Sequence, residues 1–209
     1  MSADGLAWLA SAAGFALAMS FSPGPNNAML AASGANFGLR RTVPHLLGVA
    51  LGFPVMLLLV ALGAAELLHA APGLQEALRW AGAAWLLWLA WRIANAAPAT
   101  AAAAGMPPPP PGQAARPMSF LSAALFQWVN PKAWMIAAGG VAAYTGGDVL
   151  AEAAALALVF GLATLPACAG WAAMGAGLGR LLARPGALRR FNQAMGALLA
   201  LSVAPMLAG

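Results

Sequence analysis

Charge is what this sequence has least of. Only 7% of its 209 residues are Asp, Glu, Lys or Arg, against 62% that are hydrophobic, and so few polar side chains do not cover a soluble globule of this length. The chain is therefore read as a membrane protein. Cysteine is represented by Cys168 alone, which excludes an internal disulfide and paired-thiol redox chemistry and leaves a small packing residue on an apolar helix. No two carboxylates are paired, no Gly-x-Ser-x-Gly element occurs, and no serine or cysteine stands where a histidine would activate it, so an intramembrane enzyme is the disfavoured class. No cofactor or metal is implied. The basic start of a cleavable signal is missing too, since Asp4 takes its place and the apolar run that follows exceeds such a segment. The first helix is expected to remain.

What is there is a set of long apolar runs. Residues 5–39, 42–65, 153–179 and 191–209 are uncharged, each near or above the roughly 20 residues that cross a bilayer. A fifth run, 118–147, is interrupted only by Lys132, and a weaker sixth, 74–94, has Arg79 and Arg92 where they can snorkel outward. Six helices are expected. The net charge of +5 is not a nucleic-acid footprint, because the charges sort by loop. Arg40, Arg41, Arg92, Arg116, Arg180, Arg184, Arg189 and Arg190 fall in one set of connections, and Asp4, Glu66, Glu76, Asp148 and Glu152 in the other, with Arg79 as its only base. The positive-inside rule then puts the basic loops in the cytoplasm and both termini outside.

Residues 95–117 consist mainly of alanine and proline, including Pro107 to Pro111, and read as a cytoplasmic linker that is partly polyproline II. The expected organisation is a first three-helix repeat over 1–94, broken at 22–27, and a second over 118–209, broken at 130–131. Three helices in each half force the second to enter the membrane from the opposite side. The fold class is thus all-α, a polytopic membrane protein of six transmembrane helices in two inverted three-helix repeats. Spaced glycines such as Gly34 and Gly38, Gly48 and Gly52, and Gly175 and Gly179 let helices approach closely. Packing within one chain is the leading reading of them, and a homodimer interface the alternative. Trp85 and Trp88 are read as packing residues.

The repeat is sharpest where the helices break. Ser22-Pro23-Gly24-Pro25-Asn26-Asn27 runs into Met29 and Gly34, and Asn130-Pro131-Lys132 runs into Met135 and Gly140, with Pro25 and Pro131 at matching distances from each. Interrupted segments in corresponding halves are a sequence pointer to a transporter's binding site, since freed backbone is tolerated at membrane depth only where protein or a water-lined cavity satisfies it. Gly24 is read as the point where the chain turns. Proline suits a first helical position and asparagine an N-cap, so each break starts a half-helix whose N–H groups and positive dipole end suit a carboxylate. Lys132 sits badly with respect to that dipole, and a mid-membrane cation costs about 2.5–3.5 kcal/mol. Its offset is a carbonyl cluster, water, or an anionic group of the substrate. Asn26, Asn27, Gln127 and Asn130 are candidates for the neutral hydrogen bonds that recognise an amino group. His45 is titratable near neutral pH, although a lone histidine at a helix start is more often interfacial.

Through Ser22-Pro23-Gly24-Pro25-Asn26-Asn27 with Gly38-Leu39-Arg40-Arg41, Gly82-Ala83-Ala84-Trp85-Leu86, and Gln127-Trp128-Val129-Asn130-Pro131-Lys132-Ala133-Trp134, the chain resembles the LysE family of amino-acid exporters over nearly its whole length. The Pro-Gly-Pro-Asn-Asn form and Trp-Leu-Ala-Trp-Arg at 88–92 most resemble its cysteine and O-acetylserine branch. The resemblance implies efflux of a small amino acid or derivative across the bacterial inner membrane, coupled to protons, with Pro23, Gly24, Pro25, Asn26, Asn27, Gln127, Asn130, Pro131 and Lys132 at the substrate. A threonine-, homoserine- or leucine-like substrate is the variant of that reading, and a passive channel its rival. For the proton, no carboxylate falls inside the membrane on this topology; Glu66 and Glu152 at matching outer helix ends, and His45 at an inner one, are the candidates.

Overall fold

A computed structural model describes residues 3–96, 116–181, 185–204 and 207, which form helices and turns with no strand among them. The expected linker falls almost wholly on 97–115 and lies outside the described residues, as does Arg184. Proline placement explains most of the helix boundaries. Helix α1 (Ala3–Phe21) stops before Pro23, α2 (Pro25–Phe37) starts on Pro25 and ends at Gly38, and α3 (Leu39–Leu59) begins directly after it. Gly38 makes that corner at φ 76°, a left-handed conformation that a side chain rarely adopts. A π-helical turn, Val60–Ala64, carries α3 into α4 (Ala65–His69), and α5 (Pro72–Ala94) follows with proline in its first turn.

After the undescribed stretch, α6 (Phe120–Phe126) tightens into a 3₁₀ turn, Gln127–Val129, and stops at Asn130; α7 (Pro131–Tyr144) starts afresh on Pro131. Helix α8 (Val149–Leu181) has 33 residues, about 50 Å of rise against a hydrocarbon core of about 30 Å. Helix α9 (Pro185–Leu201) ends the described helices. Three stretches are long and apolar enough to cross a bilayer by length and composition: Ala3–Phe21, Leu39–Leu67 and Val149–Gly179. The others miss for physical reasons. Proline cuts α2 to 13 residues and α7 to 14, while α5 contains Glu76, Arg79 and Arg92.

Helix α8 is the hub, packed on α1, α2 and α3, while α5 pairs with α9 and α6 with α3. The α2–α8 contact is backbone against backbone: a Cβ on Gly34 would strike Ala172 and Ala176, and one on Gly175 or Gly179 would strike Ala31 or Ala35. Gly48 and Gly52 likewise face Phe120 and Ala124 of α6. These glycines are spent on packing inside one chain, so they carry no argument for a dimer. Trp85 and Trp88 depart from expectation. They pack on each other at 4.8 Å but stay 40% and 43% exposed, so their packing is with each other and not in the core.

Candidate binding site

The break after α1 and the break before α7 meet. Residues 22–24 leave the helix, and Ser22 and Pro23 turn their carbonyls toward Lys132, whose Nζ donates to Ser22 O at 2.7 Å, Ser22 Oγ at 2.6 Å and Pro23 O at 3.3 Å. This accounts for the misplaced cation. Lys132 belongs to the first turn of α7, but its side chain crosses to the carbonyl end of α1, where the dipole favours positive charge. The chain bends at Gly24, as expected, though not through a conformation reserved for glycine. Its backbone is fully extended, φ 179° and ψ −178°, a conformation open to any residue. The Lys132 stem lies against Gly24: a Cβ there would sit 2.8 Å from Lys132 Cδ and 3.1 Å from Nζ, so the flexible end of that side chain would have to shift.

The two half-helix N-termini are not equivalent. At α7, Asn130 is an N-cap in extended conformation, only 2% exposed, that accepts Lys132 N–H on its side chain at 3.2 Å and the N–H groups of Ala133 and Trp134 on its carbonyl. That end is satisfied by the protein itself. At α2, Gly24 provides no side-chain cap, Pro25 has no N–H, and the first backbone N–H to find an acceptor is that of Ala28, on Gly24 O at 2.9 Å. The N–H groups of Asn26 and Asn27 lie ahead of it, so α2 retains the anion-receiving end.

The remaining amides hold the breaks together. Asn26 and Gln127 exchange hydrogen bonds, Nδ2 to Oε1 at 2.9 Å and Nε2 to Oδ1 at 3.4 Å, and Gln127 is anchored by a bond to Ala123 O at 2.8 Å. Asn27 Nδ2 donates to Ser20 O at 2.9 Å and Ser22 O at 2.8 Å, bracing the end of α1. Each amide still has an unspent oxygen lone pair or N–H.

Between the breaks lies a cavity lined by Gly24, Asn26, Asn27, Asn130 and Lys132 of the expected set. Pro23, Pro25, Gln127 and Pro131 are not in its wall, and Gln127 is tied to it only through its bond to Asn26. The wall also includes residues that motif reading misses: Ser20 from α1, Phe53 from α3, Ile136 from α7, and Phe160 and Thr164 from α8. One signal was available, since Thr164 is the sole hydroxyl side chain in 153–179 and stands two residues before Pro166. The aromatic wall had none, because one phenylalanine in an apolar helix reads like another.

Different materials stand on the two sides of the cavity along α8. Toward its N-terminal end aromatic rings pack in a chain, Phe53 edge-on to Phe160 at 5.2 Å, Phe160 edge-on to Phe15 at 5.8 Å and Phe15 tilted on Tyr144 at 5.7 Å, with Trp8 Nε1 donating to Tyr144 O. Toward its C-terminal end stands the glycine-alanine seam with α2. Beyond that seam Asn36 and Asn192 form a reciprocal amide pair at 2.7 and 2.9 Å, joining α2 to α9. His45, 1% exposed, meets Ser33 Oγ through Nδ1 at 3.1 Å, and its Nε2 is buried without a partner. Glu66 is exposed, and Glu152 accepts the N–H groups of Gly146 and Gly147 at 2.7 and 3.1 Å. Neither carboxylate reaches the cavity.

The family model described as LysE type translocator matches residues 17–207. The cysteine/O-acetylserine efflux proteins of Escherichia coli O139:H28 (strain E24377A / ETEC), Escherichia coli K12 and Shigella flexneri are each 31% identical to this chain over 156 residues, 75% of it and 73% of theirs. No solved structure matches the chain.

Proposed function

The chain belongs to the LysE type translocator family, a family of transporters and not of enzymes, and on that premise we propose that it exports small zwitterionic amino acids or their derivatives from the bacterial cytoplasm across the inner membrane. Substrates of the cysteine and O-acetylserine kind come first, those of the threonine, homoserine or leucine kind second. The observation that carries this reading is the joining of the two breaks around a cavity: the Lys132 ammonium, from the second half of the chain, lies at Gly24 beside the uncapped N-terminus of α2, from the first. A carboxylate bound there takes the N–H groups of Asn26 and Asn27 and draws Lys132 off the Ser22 and Pro23 carbonyls, while Asn27 and Asn130 oxygens are placed for an ammonium.

Size supports the class. The cavity offers about 50 Å³ to the centres of water molecules, and one water needs roughly 10–15 Å³ on that measure, so it accommodates about four waters. That is the scale of a small amino acid such as cysteine and well short of tryptophan.

In this proposal the helices form six spans, α1 with α2, α3 with α4, α5, α6 with α7, α8, and α9, arranged as inverted repeats over 1–94 and 118–209 joined by the 95–117 linker, with both termini periplasmic. Transport is by alternating access. The aromatic stack is the periplasmic seal and the α2–α8 seam, with the Asn36–Asn192 pair, the cytoplasmic one. Protons enter against the amino acid, and His45 is favoured over Glu66 and Glu152 as their carrier, because it alone of the three is buried among the moving helices.

The reading is tested by uptake of radiolabelled cysteine, O-acetylserine, threonine, leucine and lysine into inverted membrane vesicles, with and without an imposed pH gradient. Gradient-driven accumulation of a small neutral amino acid is expected, and uptake of none of them overturns the proposal. Counterflow in proteoliposomes separates a carrier, which shows it, from a passive channel, which does not.

A further inference from the structure

Every polar group around the cavity discussed so far suits the common part of an amino acid. One pair does not. Ser20 on α1 and Thr164 on α8, both lining the cavity, share a hydrogen bond, Oγ to Oγ1 at 3.1 Å, and Thr164 is only 7% exposed. Two hydroxyls have two donor hydrogens and four lone pairs between them, and one mutual bond uses a single hydrogen and a single lone pair. Hydroxyls in helices commonly spend the remainder on a carbonyl of their own helix, and this chain does so elsewhere: Thr42 donates to Gly38 O, Thr145 to Val141 O and Ser202 to Leu199 O. Ser20 and Thr164 make no such bond. An O–H donor and several lone pairs therefore remain at the wall of a cavity to which α8 otherwise contributes Phe160, which is apolar, and Cys168, whose thiol is only a weak hydrogen-bonding group.

We propose that the Ser20–Thr164 pair is the side-chain-reading element of the site, selecting substrates whose β-substituent forms hydrogen bonds, a hydroxyl, thiol or ester, over aliphatic ones of the same size. This rests on the reading of the cavity as an amino-acid site. A substrate hydroxyl or thiol completes the pair's hydrogen bonding. An ethyl side chain fills the same volume and leaves the pair buried with its donor unspent, and that penalty is what generates discrimination.

The test uses serine, cysteine and 2-aminobutyrate, which are close in size and differ in the β-substituent, as competing substrates for counterflow with the full-length protein in proteoliposomes. The unaltered protein is expected to prefer serine or cysteine to 2-aminobutyrate by about tenfold. Thr164→Val and Ser20→Ala are each expected to bring that ratio close to one, and Thr164→Ser, which restores a hydroxyl at the same place, to keep it. The ratio is read within one preparation, so a variant that inserts poorly still reports it. A ratio unchanged in both Thr164→Val and Ser20→Ala, or no preference in the unaltered protein, overturns the proposal while leaving amino-acid transport intact. Absence of counterflow with all three substrates overturns the broader reading and the proposal with it.

Discussion

Truncating Lys132 to alanine would leave the Ser22 and Pro23 carbonyls at the end of α1 without their cation and strip the proposed carboxylate site of its charge. Lys132→Ala is therefore expected to abolish efflux, measured in inverted vesicles, while the amount of protein in the membrane, measured by immunoblot, stays close to normal. Retained transport would remove the lysine from the site. Gly24→Ala tests the same place from the other side. The added methyl would sit 2.8 Å from Lys132 Cδ, so the end of that flexible side chain must shift, and the displaced ammonium is expected to reduce transport in the same vesicle measurement. Since the backbone at Gly24 is extended, any loss in this variant reports the displaced lysine and not a strained turn. That distinction was not legible in the sequence, where a glycine between two prolines reads as a bend.

Among elements, the contact of α2 with α8 is the one in which small changes have the largest consequence. A methyl on Gly175 would overlap the backbone of Ala31, and overpacking of this kind costs about 1–3 kcal/mol or more. Gly175→Ala is expected to lower the melting temperature of the detergent-solubilised protein by roughly 2–10 °C; an unchanged value would mean that α2 slides on α8 at no cost. The Asn36–Asn192 pair makes the complementary prediction. Asn192→Leu leaves the buried Asn36 amide with its bond to Ala32 O alone, a loss of about 1–3 kcal/mol that falls on the contact between α2 and α9. If this is the cytoplasmic seal, the variant is expected to raise the labelling rate of a cysteine placed at Asn26 by a thiol reagent applied to inverted vesicles, and an unaltered rate would place the seal elsewhere. Helix boundaries at Pro25, Asn130 and Pro131 were readable in advance because proline and asparagine act locally. The difference between the two N-termini was not, since the capping of α7 depends on how the Asn130 side chain is turned and the open end of α2 on what stays away from it.

For the molecule as a whole, orientation is the property with the clearest test. In the proposed orientation residue 116 is cytoplasmic and residue 147 outside, and Cys168 is buried, so the native thiol does not compete for a membrane-impermeant maleimide. A cysteine introduced as Gly147→Cys is expected to label in intact cells, and one introduced as Arg116→Cys only after permeabilisation. Labelling of both from the same side would dismantle the inverted arrangement. Among the described residues three stretches are long and apolar enough to cross a bilayer on their own, and in the proposed six-span arrangement the breaks account for the shortness of α2 and α7. Proline that ends a helix near the middle of a membrane also removes that helix from any test of length.

Residue order alone determined that the chain is a helical membrane protein with two matched breaks, because apolar run length, charge distribution and the missing N–H of proline act over a few residues and need no partner. Tertiary structure alone decided how the breaks are joined. It carried the Lys132 side chain from the start of α7 to the end of α1, left the N-terminus of α2 open while capping that of α7, and brought Ser20 and Thr164 together at the cavity wall. Each of these joins residues 110 to 144 positions apart or depends on a side-chain torsion, and no local rule of helix or turn formation specifies either.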